Sequence, residues 1–302
     1  MYTEFYRLNE KPFKLTPSSR SLYLGGIHKE ALAHLTYGVI ERKGFILLTG
    51  EVGTGKTTMI HAMLTSLGKD IQYVYLLNPL FSANDLMNSL SFSAFKEKIF
   101  FKNKTDFLIN FEGFLKRQSK EGQIFNLIID EAQKLSHDLL EEIRLLSNME
   151  TSEEKLMNIF LVGQPELNEL LNQPVCRPLL QRISIRLHIK ELDEAASLEY
   201  ISTKLRLSGA ENPDSVIPRD VAHAIYRYSG GYPRMINILS DNILLLGYAR
   251  GKRRITTSMV KECYDDLRLE GTLFDTINKK ENRESKNRGL WGMARYFKWA
   301  TL

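Results

Sequence analysis

The chain has 302 residues, of which 43% are hydrophobic and 25% are charged. This composition is ordinary for a folded globular protein, so disorder is not expected, and the length suggests one large domain or two of ordinary size. The two cysteines, Cys176 and Cys263, lie far apart without CxxC spacing, which argues against a disulfide framework and against a zinc site. We therefore expect a reducing compartment.

The opening segment MYTEFYRLNEKPFKLTP has charges between its apolar residues, so it lacks the apolar core of a signal peptide. No stretch approaches the roughly 18 consecutive apolar residues that a membrane-spanning helix needs, and we expect a cytoplasmic protein. The net charge of +5 is concentrated after residue 270, where seven Lys or Arg face three acids. Overall basicity is therefore weak support for a folded nucleic-acid-binding surface.

Apolar runs with strand character alternate with helical patterns between residues 44 and 190. The runs occupy residues 45–49, 71–77, 125–130, 156–162 and 183–189. The segments between them carry helical spacing, as in Leu139, Ile143 and Leu146. Such alternation predicts an α/β fold in three layers, a parallel sheet with helices on both faces.

After residue 191 the strand pattern stops, and four segments read as helices, several of them followed by a glycine that fits a C-cap. These segments are residues 192–209, 218–231, 232–251 and 256–271. They predict a small all-helical unit. The next residues, 277–289, are polar and rich in charge like a linker.

The nine residues GEVGTGKTT directly follow the first apolar run. Gly50, Gly55, Lys56 and Thr57 fit the pattern G-x-x-x-x-G-K-[ST] between a strand and a helix. The glycines let backbone N–H groups converge on phosphate oxygens, and the helix N-terminus adds positive potential. The predicted nucleotide-binding loop comprises Gly50, Glu51, Val52, Gly53, Thr54, Gly55, Lys56, Thr57 and Thr58. Within it, Lys56 is predicted to reach the β- and γ-phosphates of ATP, and Thr57 to bind Mg²⁺.

Two adjacent acids lie where the apolar run FNLIID ends: one is its last residue and the other begins the next segment. Asp130, at the end of the run, is predicted to hold Mg²⁺ together with Thr57. Glu131 follows it directly, and an acid in this position can polarise a water against the γ-phosphate. The pair predicts hydrolysis of the nucleotide, whereas an acidic helix N-cap explains one acid of the two.

Four further side chains are candidates for the same chemistry. Gln164, after the run LMNIFLV, is placed to hydrogen-bond the γ-phosphate or the attacking water; the alternative is a turn residue before a proline. Arg177 and Arg182 precede the last run, where an arginine can reach the γ-phosphate of a neighbouring subunit. Arg234 starts a helix after GGYP, from where it can sense the phosphates. For all three arginines the alternative is a surface salt bridge.

The order of these motifs resembles that of AAA+ ATPases. The opening segment, with HKEALAHLTYGV, EEIRLLSNME and LVGQPEL, is similar to the ExeA (general secretion pathway protein A) group over about residues 1–268. The resemblance implies a Walker A loop, a Walker B pair at Asp130 and Glu131, sensor 1 near Gln164, an arginine finger at Arg182 and sensor 2 at Arg234. It also implies a homo-oligomer, either a closed ring or an open assembly.

The resemblance further implies domains at residues 1–43 (family-specific segment and first helix), 44–191 (nucleotide-binding α/β domain) and 192–270 (helical lid). Members of the group help to assemble secretion, pilus or exopolysaccharide machinery at the bacterial envelope. Larger members continue into a membrane span and a periplasmic peptidoglycan-binding domain, which we expect this chain to lack because it stops at residue 302.

The leading hypothesis is an oligomeric Mg²⁺-dependent ATPase that serves such an assembly and binds envelope assembly proteins. A DNA-bound regulator of transposition is the alternative, since target-selecting transposition ATPases resemble the same branch. The sequence shows no winged-helix or helix-turn-helix addition after the lid. A nucleotide-gated scaffold without turnover is a third possibility, and Glu131 argues against it.

The last segment, 271–302, is predicted to be a basic linker with an aromatic tail at 289–302. Wound as a helix, this tail places Leu290, Met293 and Phe297 on one arc. Its fourteen residues would span only about 21 Å, too short for a hydrocarbon core of roughly 30 Å. Peripheral contact with the anionic inner face of the cytoplasmic membrane is therefore predicted, the alternative being packing on protein.

Overall fold

The structure, a computed structural model, describes residues 1–15, 23, 25–68, 71–77, 79, 82–96, 101 and 103–267. The chain divides into two compact units. An α/β unit contains residues 14–200 and the short segment 232–234. A helical unit contains residues 1–13, 201–231 and 235–267 among the described residues. The predicted tail at 289–302 lies outside the described residues.

Five parallel strands form the sheet of the α/β unit. Strands β1 to β5 span Phe45–Gly50, Ile71–Leu76, Ile124–Ile129, Met157–Gly163 and Ile183–Ile189. Their order across the sheet is β2-β3-β4-β1-β5, so β1 lies between β4 and β5. All five predicted apolar runs are strands, with boundaries that differ by a residue or so from the prediction, as hydrogen-bonded ends commonly do.

Helices α1 to α13 span Tyr2–Phe5, Gly26–Ile40, Lys56–Leu67, Ala83–Phe95, Lys104–Lys120, His137–Leu146, Glu166–Leu171, Arg177–Leu180, Glu194–Leu207, Pro213–Val216, Arg219–Ser229, Pro233–Ala249 and Thr257–Leu267. The described residues also include two short 3₁₀ helices, Ala132–Lys134 and Pro174–Cys176. The four helices predicted after residue 191 are α9, α11, α12 and α13. The short helix α10 was not predicted; it starts at a proline after Asn212, whose side chain accepts a hydrogen bond from the backbone of Asp214.

The core of the α/β unit has two parts, one on each face of the sheet. One face packs against α4 to α8 through a cluster that includes Phe107, Phe111 and Phe125. The other face packs against α2 and α3 through Leu35, Met59 and other apolar residues. Covering both faces explains why β1, β3 and β4 are almost continuously apolar and buried.

Two buried asparagines tie the amino-terminal ends of the strands together. The Asn158 amide donates to the Val39 carbonyl and to Oδ1 of Asn126, and its own Oδ1 accepts the backbone N–H of Gly44. The Asn126 amide in turn donates to the carbonyl of Gln72. Both asparagines are fully buried, and their hydrogen bonds link β2, β3 and β4 to the segment that enters β1.

In the helical unit, the first thirteen residues pack against the later helices. The backbone N–H of Asn9 donates to the Ser208 carbonyl over 2.8 Å, and the Tyr2 hydroxyl bonds the carboxylate of Asp241. The Phe5 ring meets the Tyr248 ring edge-on at 5.6 Å. These contacts place the opening segment in the helical unit, while the domain boundaries given above stay a prediction.

In the described part of the chain, no helix combines the length and the apolar character that crossing a bilayer requires.

Replacing Asn158 with leucine is expected to destabilise the α/β unit by about 3 kcal/mol, because the Gly44 N–H, the Val39 carbonyl and the Asn126 side chain would lose their partner in a dry environment. Urea unfolding followed by circular dichroism measures the change. Asn172→Leu, at an exposed asparagine, is the matched control. Equal unfolding midpoints for the two variants would contradict a structural role for the asparagine pair.

Candidate functional site

The phosphate-binding loop predicted from the sequence joins β1 to α3. Gly53 and Gly55 have φ values of 82° and 101°, in the left-handed region that L side chains rarely adopt. Gly50 is needed for a different reason: a Cβ atom there would lie 2.6 Å from the Ile189 carbonyl oxygen. The loop therefore has the glycines that its backbone conformation requires, and α3 begins directly behind it at Lys56.

Lys56 lies inside the curve of this loop. Its Nζ donates to the carbonyl oxygens of Gly50 at 2.8 Å and Glu51 at 3.0 Å, and only 7% of the residue is exposed. Burial lowers the pKa of the ammonium group, while the nearby Asp130 and Glu131 carboxylates act in the opposite direction. The side chain is thus buried at the point where the sequence predicts phosphate.

Asp130 lies next to this loop, just beyond the carboxyl end of β3. Its Oδ2 accepts the Thr57 hydroxyl at 2.9 Å and the Tyr75 hydroxyl at 2.7 Å, and its Oδ1 accepts the Glu131 N–H at 2.9 Å. Burial, followed by the Asp130 charge, raises the pKa of Tyr75, so the phenol is a donor at neutral pH. The contact between the Thr57 hydroxyl and the carboxylate supplies the hard oxygen donors that fit Mg²⁺.

Glu131 adopts a left-handed backbone conformation with a φ of 57°, which is uncommon for a residue other than glycine. Its Oε2 accepts the side-chain amides of Gln133 at 2.8 Å and Gln164 at 3.2 Å. The Lys134 ammonium lies 3.7 Å from the same oxygen. Two side-chain amides and one ammonium group therefore orient this carboxylate.

Gln133 was not predicted as a site residue, yet it connects two that were. Its Nε2 donates to Glu131, and its Oε1 accepts the backbone N–H of Gln164 at 3.1 Å. A Cβ on Gly163 would lie 2.7 Å from that Oε1, so the glycine before Gln164 allows the close approach. The sequence signal is the DEAQ tetrapeptide, in which Gln133 follows Glu131 by two residues.

His28 was also missed by the sequence analysis. It lies in α2, is buried, and makes a hydrogen bond with the backbone of Thr54 in the loop. Burial lowers its pKa despite that hydrogen bond, so the ring is neutral at physiological pH. No local pattern around His28 indicates this contact, because the two residues are 26 positions apart.

Arg234 contacts the same loop through its backbone. Its N–H donates to the Gly53 carbonyl at 3.2 Å, and a Cβ on Gly53 would lie 2.9 Å from the Cβ of Arg234. Its side chain is exposed. Arg234 belongs to the short segment that groups with the α/β unit, which brings this predicted residue to the phosphate loop.

Arg177 and Arg182 precede β5, whose amino-terminal end lies at the end of the sheet opposite to the phosphate loop. Arg182 immediately precedes β5, which runs parallel to β1 and pairs with it from Phe45 onward. Because β5 has seven residues, the amino-terminal end of the strands, where Arg182 lies, is roughly 20 Å from the carboxyl end, where the loop lies. The Arg182 guanidinium donates to the side chains of Ser147 at 2.8 Å and Asn148 at 2.5 Å, and Arg177 is exposed in α8.

Comparison with known proteins agrees with this arrangement. Residues 39–171 match the AAA domain family. Over 282 residues the chain is 37% identical to General secretion pathway protein A of Aeromonas hydrophila, an alignment that covers 90% of this chain and 50% of that protein. The chain thus spans about half the length of this relative. These matches confirm the predicted resemblance to AAA+ ATPases of the ExeA type.

Solved structures share the fold at low sequence identity. Cdc6p from Pyrobaculum aerophilum has a TM-score of 0.65 and 15% identity, covering 86% of this chain and 71% of its own. The ORC2 protein from Aeropyrum pernix has a TM-score of 0.62 and 14% identity, covering 89% and 74%. Together with the parallel sheet and the helical unit, these likenesses confirm the predicted fold class.

Gly50→Ala is expected to destabilise the α/β unit by about 1–3 kcal/mol, because the added methyl group meets a backbone carbonyl that has no rotamer to change. Thermal unfolding of the free protein measures the change. The matched control is Gly113→Ala within α5, where the nearest atom to a new Cβ is 3.8 Å away; it is expected to gain about 0.5–1 kcal/mol. A neutral Gly50→Ala would contradict the close approach of β5 to the loop.

Proposed function

We propose that this chain, whose residues 39–171 belong to the AAA domain family, is a Mg²⁺-dependent ATPase that acts as a homo-oligomer. The observation that carries the proposal is the contact between Thr57 and Asp130, with Glu131 adjacent and oriented by two glutamines. A buried lysine, a pair of oxygen donors and an ordered carboxylate at the carboxyl ends of a parallel sheet are the parts that hydrolysis of the phosphoanhydride bond between the β- and γ-phosphates needs.

Each residue has a separate task in this proposal. The loop amides and Lys56 bind the β- and γ-phosphates. Thr57 and Asp130 would hold Mg²⁺, which would supply positive charge against the phosphate oxygens. Glu131 orients and polarises the attacking water. Gln164 lies beside Glu131, from where its amide can contact the same water or the γ-phosphate. Arg234 adds positive charge at the loop, to which its backbone is anchored.

The position of Arg182 supports the proposal of an oligomer. Because this residue lies about 20 Å from the loop of its own chain, it can neutralise phosphate charge only in a neighbouring copy. The side chains that accept its hydrogen bonds, Ser147 and Asn148, are uncharged. These two contacts therefore do not neutralise the charge of the guanidinium group. Arg177, exposed one helix earlier, is the other candidate for this task.

The cellular role is proposed from the relative named General secretion pathway protein A. We infer that this chain drives or regulates assembly of an envelope secretion, pilus or exopolysaccharide complex from the cytoplasm and contacts assembly proteins there. Peripheral contact with the anionic inner face of the cytoplasmic membrane through residues 289–302 belongs to the same proposal.

Lys56→Ala is expected to lose nucleotide binding, because the buried ammonium group that faces the phosphates is removed. Glu131→Gln is expected to keep binding and to lose turnover by about 10²–10⁴-fold, since the amide cannot polarise water as a carboxylate does. Phosphate release and equilibrium binding of a fluorescent ATP analogue separate the two effects. Glu166→Gln, at an exposed acid near Lys56, is the control; wild-type turnover in Glu131→Gln would exclude Glu131 from this role.

Mixing Arg182→Ala subunits with Lys56→Ala subunits is expected to restore hydrolysis. Composite interfaces then pair an intact loop with an intact Arg182, and an arginine supplied in this way contributes about 10³–10⁵-fold to the rate. Specific activity of the wild type should also rise with protein concentration. An Arg177→Ala series run in parallel identifies which arginine acts, and full activity of wild-type monomers would contradict the shared site.

A further inference from the structure

Tyr75 on β2 is a polar contact of the site that neither the sequence motifs nor the proposed roles include. Its hydroxyl donates to Oδ2 of Asp130 over 2.7 Å, and the same oxygen accepts the Thr57 hydroxyl at 2.9 Å. The other carboxylate oxygen accepts the backbone N–H of Glu131. Only 4% of Asp130 is exposed, so these donors largely replace the water that an ionised carboxylate otherwise recruits.

The ring of Tyr75 is fixed from a second direction. It stacks on the His61 ring with a centroid separation of 5.5 Å and an angle of 2° between the planes. His61 lies four residues after Thr57 in α3, so both side chains occupy one face of that helix. Tyr75, on β2, thus contacts both α3, which begins at the phosphate loop, and the Asp130 carboxylate beyond β3.

We propose that Tyr75 is a positioning residue, which orients the Asp130 carboxylate for the Mg²⁺ that Asp130 and Thr57 hold. This inference rests on the proposed function. Rotation about χ2 of an aspartate is broad and costs little, so a carboxylate without fixed donors samples many orientations. Thr57 is itself expected to bind the metal through its oxygen, and that task limits where its proton can point. Tyr75 has no such task and can hold Oδ2 both before and after the metal binds.

The variant Tyr75→Phe removes the hydroxyl and keeps the ring that stacks on His61. The Mg²⁺ concentration that gives half of the metal-dependent increase in nucleotide affinity is expected to rise about tenfold, which corresponds to about 1.4 kcal/mol. Affinity without metal is expected to stay within about twofold, because it depends on the loop and on Lys56. A purely structural role would instead lower the unfolding temperature and leave the metal dependence unchanged.

Isothermal titration of the full chain with a non-hydrolysable ATP analogue, at a series of Mg²⁺ concentrations and in EDTA, measures both quantities without turnover. Tyr73→Phe is the matched control, because Tyr73 lies two residues earlier on the same face of β2 and is 50% exposed. A shift confined to Tyr75→Phe supports the inference. An unchanged Mg²⁺ midpoint in Tyr75→Phe, or the same shift in both variants, overturns it.

The wild-type titration separates this inference from the function on which it rests. Nucleotide binding that does not respond to Mg²⁺ in the wild type contradicts the proposed function and the inference together. Binding that strengthens with Mg²⁺ in the wild type and to the same degree in Tyr75→Phe contradicts the inference alone, and leaves the ATPase proposal in place.

Discussion

The buried carboxylate of Asp130 is the group on which the whole site depends. An ionised carboxylate with 4% exposure is stable only when fixed donors replace its water, and here the donors come from Thr57 on α3, Tyr75 on β2 and the backbone of Glu131. Satisfying this one group therefore sets the position of the helix behind the phosphate loop relative to two strands. The same bonds leave Asp130 beside the hydroxyl with which it is proposed to share Mg²⁺.

The amino-terminal ends of the strands, opposite to Asp130, are held together by neutral polar groups. Asn126 and Asn158 link three strands and the entrance to β1 through hydrogen bonds without a buried charge. A one-residue slip of β3 or β4 would move its asparagine to the wrong face and leave buried donors unsatisfied. The amides at the amino-terminal ends and the carboxylates at the carboxyl ends thus have separate physical tasks: the amides define strand register, and the carboxylates are proposed to carry the chemistry.

The parts of this molecule that follow from local sequence could be predicted. The five strands are short apolar runs, and the phosphate loop is a local pattern in which Gly53 and Gly55 meet local backbone requirements. Tyr75 and His28 were not predicted, because they contact residues 55 and 26 positions away. Gln133 lies in the DEAQ tetrapeptide, but that pattern does not show which groups its side chain contacts. Local sequence patterns indicate burial and turns, whereas the partners of a polar side chain depend on which strands become neighbours in the sheet.

The parallel orientation of the strands also determines how far Arg182 lies from the phosphate loop of its own chain. Since all five strands are parallel, every side chain just before a strand lies at one edge of the sheet, and every side chain just after one lies at the other. Arg182 precedes β5, whereas Glu131 and Gln164 follow β3 and β4. The phosphate loop of one copy and the Arg182 of the same copy are therefore separated by the length of a strand, a distance that side-chain rotation does not span. The proposed sharing of the site between subunits is consistent with this separation, because a second copy is the direct way to bring such an arginine to the phosphates.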